Sequence, residues 1–354
     1  MGDLTRDFTD RIAAASGAKP LRIRGGGSKD FYGEMPRGEI LDTRGHSGIV
    51  AYEPTELVIT ARCGTPLAEI ETALAAHGQF LPFEPPAFGE ATSLATVGGA
   101  VAAGLSGPRR ASVGALRDFV LGVNILDGVP RRLTFGGTVM KNVAGYDVSR
   151  LIAGSMGTLG LILEVSLKVL PRPVAEATLR FELPQDKALD VLNAWAGQPL
   201  PISASCWHDD ALTVRLSGAN AAVAAAQRKL GGEPVADGDA FWQELREQRH
   251  PFFTDRETLW RLSVPSITRA LDLPGEQLIE WGGSQRWWRG GANVREAAAR
   301  AGGHAVLFRQ SEHGDKSARV FAPLPDAVMA IHRRLKATFD PRGVFNPGRL
   351  YPDL

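Results

Sequence analysis

The chain has 354 residues, a length that suits two domains better than one. With 44% hydrophobic and 22% charged residues it has the balance of a globular protein rather than a disordered one. A net charge of +1 provides no overall field to attract nucleic acid, and two cysteines are too few for a disulfide framework, a cysteine-rich zinc site or an iron–sulfur cluster.

No stretch of the sequence predicts export or membrane insertion. Residues 1–20 are polar and amphipathic and lack the apolar core of a signal peptide. No apolar run approaches the roughly 18 residues that a membrane span requires. We therefore expect a cytoplasmic protein, which partners could hold at the inner face of a membrane.

The first predicted elements lead into a run of glycines. Apolar residues at helical spacing predict a helix over 4–16, and the alternating sequence LRIR predicts a strand over 21–24. The residues that follow are Gly25, Gly26, Gly27 and Ser28. Consecutive glycine N–H groups can form a concave anion-binding site, although a flexible turn accounts for GGGS by itself equally well. The spacing is not the GxGxxG fingerprint of nicotinamide-binding proteins.

The next segment contains strands and a helix. Apolar runs predict strands over 39–42, 48–52 and 57–62. A helix is predicted over 67–77, with Thr65 as its N-cap. Cys63, between the last strand and this helix, is expected to be buried.

Residues 98–104, GGAVAAG, are small throughout. A segment this smooth either packs tightly against another element or lies against a flat ligand. The glycine-rich segments elsewhere in the chain favour the ligand. A hairpin is then predicted over 119–135, with its turn at Asp127 and Gly128.

The stretch from 135 to 171, FGGTVMKNVAGYDVSRLIAGSMGTLGLILEVSLKVLP, combines a short helix over 148–153 with a strand over 161–170. Between them lie Gly154, Gly157 and Gly160. Glycines hold the backbone in conformations that other residues resist and allow a ligand to approach it closely. We interpret this stretch as part of a ligand-binding wall.

The second half differs from the first in composition, since all seven tryptophans lie between Trp195 and Trp288. Strands are predicted over 177–182, 201–207, 211–216, 257–263, 277–282 and 304–309. Helices are predicted over 186–196, 219–230, 240–250 and 292–301. This order indicates an α+β domain with an antiparallel sheet. A last amphipathic helix, over 325–339, carries Val328, Ile331, Leu335 and Phe339 on one face.

Several motifs, taken in order, resemble the FAD-binding domain of the vanillyl-alcohol oxidase and D-lactate dehydrogenase superfamily. They are RGGGS, YEPTELVITARCGTPLAEI, PFEPP, ATVGGAVAAGLSGPRR, RDFVLG and KNVAGYDVSRLIAGSMGTLGLILEVSLKVLP, within residues 20–172, with the tail at 338–350. More narrowly, GPRRASVGALRDFVLG, VMKNVAGYDVSRL and FDPRGVFNPGRLY resemble the family of smaller FAD-binding subunits of bacterial glycolate oxidase.

The resemblance implies an α+β fold in three parts. A two-lobed, PCMH-type FAD-binding domain would occupy 1–172, and a ferredoxin-like antiparallel α+β cap domain would occupy 173–323. The C-terminal helix and tail, 324–354, would return to the FAD domain.

The resemblance also assigns the cofactor site, residue by residue. The predicted FAD-binding residues are Gly25, Gly26, Gly27, Ser28, Pro85, Pro86, Thr96, Gly98, Gly99, Ala102, Ser106, Gly107, Arg110, Asp118, Gly154, Gly157, Thr158, Gly160, Ile162 and Asn346. The FAD would be non-covalent, because relatives with a linked flavin use a histidine or cysteine where this chain has Ser28 and Lys29. Lys141 and Tyr146 would tune the flavin, contact substrate or serve the fold.

Catalytic residues are harder to assign. Relatives that oxidise 2-hydroxy acids use a histidine-containing metal and base cluster in the cap, and no stretch here resembles that motif. The nearest histidines in sequence are His304 and His313, which fit exposed or satisfied side chains better than metal ligands. The candidates for a carboxylate clamp are Arg256, Arg261, Arg286 and Arg289. An arginine stacked on a sheet face fits WWR better than a clamp, and exposed tryptophans there would suit a subunit interface.

Three interpretations of function follow from the resemblance. The first is a FAD-binding subunit of a glycolate oxidase complex, in which a larger FAD-linked subunit oxidises a small 2-hydroxy acid and an iron–sulfur subunit accepts electrons. The second is a self-sufficient FAD-dependent 2-hydroxy acid dehydrogenase, which the missing histidine motif disfavours. The third is a non-catalytic assembly subunit, which the intact glycines disfavour. No metal ion and no nucleic acid is expected.

Overall fold

A computed structural model describes residues 4–89, 94–138, 147–255, 257–290, 294–311 and 318–354. Its strands are β1 (Leu21–Arg24), β2 (Glu39–Asp42), β3 (Ile49–Glu53), β4 (Val58–Arg62), β5 (Gln79–Phe80), β6 (Val120–Leu126), β7 (Arg132–Gly136), β8 (Leu161–Lys168), β9 (Leu170–Pro171), β10 (Ala175–Glu182), β11 (Ile202–His208), β12 (Ala211–Gly218), β13 (Glu233–Pro234), β14 (Leu259–Ser263), β15 (Glu276–Glu280), β16 (Gln285–Arg289) and β17 (His304–Arg309).

The α-helices complete the description of the elements. They are α1 (Thr5–Ala14), α2 (Leu67–Ala75), α3 (Val97–Ala103), α4 (Arg110–Val113), α5 (Val148–Ile152), α6 (Gln185–Ala196), α7 (Asn220–Leu230), α8 (Gly238–Arg246), α9 (Pro251–Thr254), α10 (Val294–Arg300) and α11 (Asp326–Phe339). Each strand and helix predicted from the sequence is confirmed, with its ends moved by a few residues. Within the described ranges no helix is long and apolar enough to cross a membrane.

The chain separates into two compact units. The first contains residues 1–106, 115–171 and 323–354, and the second contains 107–114 and 172–322. The short segment 107–114 therefore belongs with the second unit although it lies inside the sequence of the first.

The first unit is built on an antiparallel sheet of order β3-β4-β8-β6-β7. Its central strands β6 and β8 are buried on both sides, so they read as continuous apolar runs rather than as alternation. Phe8 and Ile12 of α1 pack with Leu161 and Leu163 of β8 in one core cluster. Contacts of α3 with β8 and of α5 with β6 also bury these strands.

This unit also contains a small parallel sheet and the antiparallel pair β5-β9. Strands β1 and β2 pair in parallel, and Phe345 of the C-terminal tail bridges Leu21 in parallel on β1. The Leu21 N–H donates to the Val344 carbonyl (2.7 Å) and the Asn346 N–H donates to the Leu21 carbonyl (3.0 Å). The tail thus adds a strand-like segment to β1, immediately before the glycine loop.

One local prediction in the first unit is wrong. Thr65 does not cap α2; Pro66 is the N-cap, and the Thr65 hydroxyl donates to the carbonyl of Arg62 (2.7 Å). The predicted C-terminal helix is confirmed as α11; on its apolar face Phe339 is buried, whereas Val328 and Ile331 are exposed.

The second unit contains two ferredoxin-like halves in one sheet, of order β13-β10-β12-β11-β15-β16-β14-β17. The first half runs β10-α6-β11-β12-α7-β13, and the second half runs β14-β15-β16-α10-β17. When the four strands of each half are numbered in chain order, both halves have the spatial order 4-1-3-2, with antiparallel neighbours, which is the order of a split βαβ motif. They join edge to edge where Trp207 pairs with Ile279. The ferredoxin-like prediction is confirmed, and the duplication is new.

The second half lacks a helix between β14 and β15, and a buried arginine supports the chain there instead. The guanidinium of Arg286 donates to the carbonyls of Thr268, Arg269 (2.8 Å) and Gly283 (3.3 Å). Its position on β16 is fully buried. Burial lowers the pKa of Arg286 to about 10, which leaves it charged at neutral pH.

The tryptophans form core rather than an exposed surface. Trp207, Trp242, Trp287 and Trp288 are buried, and Trp195, Trp260 and Trp281 are half-buried. The expected exposure of Trp287 and Trp288, on which a subunit interface at this place depended, is therefore wrong. The sequence QRWWR of β16 did not predict a strand because both of its faces are buried, which removes the alternation.

Candidate functional site

A cleft that is open to solvent lies in the first unit where β1 ends. The predicted cofactor residues that line it are Gly25, Gly26, Gly27, Ser28, Thr96, Gly99, Ala102 and Asn346. The sequence analysis did not identify the other lining residues, which are Arg22, Ile23, Arg24, Lys29, Asp30, Pro36, Ala103, Met156 and Arg349.

The glycine loop, defined as Gly25 to Ser28, presents a run of backbone donors to this cleft. Within the described residues, the N–H groups of these four residues donate to no protein acceptor. The loop lies so close to its neighbours that a Cβ on Gly26 would stand 1.7 Å from the Leu94 carbonyl oxygen. Gly27 has a φ of 76°, which L residues rarely adopt. Unpaired N–H groups on one short loop are what an anion requires.

The wall opposite the loop is one face of α3. Gly99, Ala102 and Ala103 line the cleft, at helical spacing, and keep the wall smooth. Gly98 lies on the other face, where an added Cβ would stand 2.5 Å from the Cβ of Cys63. Tight packing therefore accounts for the face that contains Gly98, and contact with a ligand stays a prediction for the face that lines the cleft. The Thr96 side chain caps α3 by accepting from the Gly99 N–H (3.2 Å).

Cys63 is a packing residue. It is buried, as expected, and burial raises the pKa of its thiol to about 12. A thiol with that pKa stays protonated and unreactive at neutral pH.

Basic side chains dominate the charge of the cleft. Arg22 and Arg24 lie on the same side of β1, and both donate to Oδ2 of Asp30, at 2.6 and 2.8 Å. Lys29 and Arg349 add two more cations, so Asp30 leaves an excess of positive charge. The alternation in LRIR could have predicted that Arg22 and Arg24 lie together, because residues two apart on a strand share a face.

The C-terminal tail reaches the cleft through Asn346. Its side-chain oxygen accepts from the Ile23 N–H (2.8 Å), and its side-chain nitrogen donates to the Met156 carbonyl (2.6 Å). Asn346 and Met156 both have positive φ values, 40° and 53°. Asn346 therefore joins β1 to the 154–160 loop, beside the glycine loop.

The glycine-rich stretch itself shapes the cleft more than it lines it. Gly154 donates to the Val101 carbonyl (2.9 Å) and Met156 to the Ala102 carbonyl (2.8 Å), which holds the stretch against α3. A Cβ on Gly157 would stand 2.7 Å from the side-chain nitrogen of Asn346. Predicted residues of this stretch that are absent from the cleft lining are Gly154, Gly157, Thr158, Gly160 and Ile162.

The remaining predicted residues lie elsewhere. Pro85 and Pro86 are buried and do not line the cleft. Ser106 accepts from the Leu116 N–H (2.9 Å), and Asp118 accepts from the Ala115 N–H (2.9 Å). Both side chains thus order the loop before β6.

Gly107 and Arg110 belong to the second unit. The Trp281 indole donates to the Gly107 carbonyl (3.1 Å), and the Arg110 guanidinium lies 4.4 Å from the centre of the Trp281 ring. The adjacent Arg109 is buried and donates to Glu176 (2.6 Å). These contacts hold the 107–114 segment within its own unit.

The described arginine candidates of the cap are engaged by protein groups. Arg289 pairs with Glu276 and lies 5.2 Å from the Phe252 ring, and Arg261 lies 5.7 Å from the Phe308 ring. With Arg286 bonded to backbone carbonyls, none of the three has the features of a substrate clamp. Arg256, His313, Lys141 and Tyr146 lie outside the described residues.

One histidine pair went unnoticed in the sequence. The rings of His208 and His250 are perpendicular, with centroids 5.3 Å apart. Burial, with a smaller effect of His208, lowers the pKa of His250 to about 4, and its Nδ1 accepts from the Phe252 N–H (3.3 Å). The described residues contain no group of three or more His, Cys, Asp or Glu side chains that could hold a metal ion.

Comparison with known proteins places the chain in a family. Residues 7–136 match the family described as FAD binding domain, and residues 292–350 match FAD linked oxidases, C-terminal domain. The glycolate oxidase subunit GlcE of Escherichia coli (strain K12) is 52% identical over 344 residues, which are 96% of this chain and 95% of that protein. The chain belongs to the FAD-linked oxidases, in the family of glycolate oxidase subunit GlcE.

More distant FAD-linked oxidases match in part. The glycolate oxidase subunit GlcD of Bacillus subtilis (strain 168) is 30% identical over 45% of this chain and 34% of that protein. The structure of 4-ethylphenol oxidase from Gulosibacter chungangensis has a TM-score of 0.71, at 12% identity over 99% of this chain and 88% of that one. The structure of alkyldihydroxyacetonephosphate synthase has a TM-score of 0.66 at 15% identity, and the match covers 97% of this chain and 74% of that one. These two structures support the fold alone.

FAD is the cofactor of this family, and the cleft fits its pyrophosphate. Four unpaired N–H groups, a loop without bulky side chains and an excess of positive charge are the groups that a dianion needs. The smooth face of α3 offers flat contact area beside them.

Proposed function

We propose that this chain is the FAD-binding subunit of a complex that oxidises glycolate, a small 2-hydroxy acid, to glyoxylate. The observation that carries the proposal is the 52% identity with glycolate oxidase subunit GlcE along nearly the full length of both chains. The geometry of the cleft supports the binding half of the proposal.

Within this function the chain's residues bind and orient. The glycine loop and Arg22, Arg24 and Lys29 would hold the pyrophosphate, and Gly99 and Ala102 would contact flat parts of the cofactor. FAD, when bound, supplies the hydride-accepting chemistry. We assign the role of holding FAD to the predicted site residues that line the cleft. We propose that predicted residues outside the lining, such as Pro85, Pro86 and Gly157, support the residues that line it.

We infer that a larger FAD-linked subunit performs the main oxidation and that an iron–sulfur subunit takes the electrons. Among the described residues that line the cleft, the carboxylate is that of Asp30, which is paired with two arginines, and no histidine occurs. A general base must be free to take a proton, and neither feature provides one. The complex is proposed to be cytoplasmic, with membrane contact through partners only.

FAD binding is tested on the purified chain. We expect a flavin absorbance spectrum at about one FAD per chain, or uptake of added FAD measured by quenching of flavin fluorescence. A folded, colourless chain that takes up no FAD would contradict the proposal.

Turnover is tested anaerobically. Glycolate added to the isolated holo-chain should leave the flavin spectrum oxidised, and addition of the larger partner subunit should produce bleaching. Bleaching by the isolated chain would instead favour a self-sufficient 2-hydroxy acid dehydrogenase. Co-purification of untagged partners with a tagged chain tests the assembly directly.

A further inference from the structure

Arg349 is a buried cation in the wall of the cleft. It lies in the C-terminal tail, three residues after Asn346, and only 6% of it is exposed. It is among the lining residues, yet neither the sequence pattern nor the family resemblance assigned it a role.

Its guanidinium binds the backbone that follows the glycine loop. It donates to the carbonyl oxygens of Lys29 (3.4 Å), Asp30 (3.0 Å), Tyr32 and Glu34. In return the Glu34 N–H donates to the Arg349 carbonyl (3.0 Å). One side chain thus joins four carbonyls of a single six-residue segment, from 29 to 34, and fixes its curvature.

The charge of Arg349 is close to the cleft. Arg22 and Arg24 form ion pairs with Asp30, whereas Arg349 donates its hydrogen bonds to neutral carbonyls, with Asp30 and Glu34 near enough to favour its charged form. Burial lowers the pKa of Arg349 to about 10, so it remains protonated at neutral pH. A charge held away from solvent acts more strongly on a nearby anion than an exposed one does.

We propose that Arg349 is a positioning residue for FAD: it fixes the 29–34 segment against which the glycine loop is formed, and it adds a fixed positive charge to the wall that faces the pyrophosphate. This role rests on the proposed FAD-binding function. It predicts that the tail controls cofactor affinity from more than 300 positions away in the sequence.

The test compares Arg349→Lys with Arg342→Lys. Arg342 is a matched control, because it also donates from the tail to backbone carbonyls, those of Ala13 (3.0 Å) and Ala15, but it does not line the cleft. We expect Arg349→Lys to weaken FAD binding by about tenfold or more, since lysine keeps the charge but not the planar fork. Arg342→Lys should change FAD affinity by less than about twofold.

A second variant and a second measurement separate positioning from general stability. Arg349→Gln, which removes the charge, should bind FAD more weakly than Arg349→Lys. If the circular dichroism spectrum of Arg349→Gln shows that it does not fold, the FAD affinity of Arg349→Lys alone tests the proposal. The phosphorus NMR resonances of bound FAD should move in Arg349→Lys and not in Arg342→Lys.

Two outcomes would overturn the inference. FAD affinity and phosphorus resonances in Arg349→Lys that match the wild type, or equal losses in both lysine variants, would leave Arg349 a purely structural residue. A wild-type chain that takes up no FAD would overturn the proposed function together with this inference, whereas wild-type uptake matched by Arg349→Lys overturns the inference alone.

Discussion

At the scale of single residues, the glycine loop depends on the absence of one atom. A Cβ on Gly26 would overlap the backbone of Leu94, at 1.7 Å from its oxygen, and backbone gives way less readily than a side chain. Overpacking of this kind costs about 1–3 kcal/mol. Gly26→Ala should therefore displace the loop and weaken FAD binding by about tenfold, measured by fluorescence titration.

Gly137→Ala is the control for that substitution. A Cβ on Gly137 would meet no atom of the described residues within 4 Å, so the same chemical change should leave FAD affinity as it is. Normal FAD occupancy in Gly26→Ala would show that the cofactor binds elsewhere.

His250 makes the stability of the chain depend on pH. Its pKa falls from 6.5 to about 4 on folding, so between these values the unfolded chain binds a proton there that the folded chain does not. His250 therefore costs no stability above pH 6.5, and the free energy of unfolding decreases as the pH falls from 6.5 towards 4. Melting temperatures measured over that range should fall less steeply for His250→Asn, which keeps an acceptor for the Phe252 N–H.

His208 limits the size of this effect. Burial lowers its pKa as well, while Asp209 and Glu276 act in the opposite direction, so some slope should remain in His250→Asn. Identical slopes in the variant and the wild type would assign the acid sensitivity to other groups.

At the scale of elements, the two faces of α3 separate stability from binding. Gly98 faces Cys63, at 2.5 Å from a would-be Cβ, so Gly98→Ala should destabilise the apo-chain by about 1–3 kcal/mol. Gly99 faces the cleft, so Gly99→Leu should weaken FAD binding with a smaller effect on the melting temperature of the apo-chain. Parallel losses of stability and affinity in both variants would contradict this assignment.

Elements also differ in how well their sequence predicts them. Helix α1 and strand β1 follow from periodicity, because each has one apolar face. Strand β16 does not, since its polar residues are buried: Gln285 bonds to Glu280 (3.0 Å) and Arg286 to backbone carbonyls. The cost of burying such groups is offset by hydrogen bonds to the neighbouring strand and to the loop before β15, which hydrophobic periodicity does not reveal.

At the scale of the whole molecule, the C-terminal tail completes the first unit. Asn346 satisfies the Ile23 N–H and the Met156 carbonyl, two groups more than 100 residues apart. Asn346→Ala should lower the free energy of unfolding by about 2 kcal/mol, because the buried Met156 carbonyl and the partly buried Ile23 N–H both lose their partner. Chemical denaturation of the apo-chain measures this loss.

Asn124→Ala is the matched comparison. Its side chain also makes two hydrogen bonds, to Glu164 and Thr134, but at positions that solvent can reach. Its loss should cost less than about 1 kcal/mol. Equal costs for the two variants would indicate that Asn346 is not a key connection of the tail.

The sequence by itself determined the glycine loop and most of the helices and strands, because these depend on local residue types and spacing. The cofactor class followed from the resemblance of several motifs, taken in order, to a known family. Tertiary structure alone decided which predicted residues share the cleft. It separated Gly99 from Gly98, moved Arg110 to Trp281 and brought Arg349 to the 29–34 segment. It also paired two ferredoxin-like halves in one sheet. These features depend on contacts between segments far apart in the chain, and periodicity contains no information about such contacts.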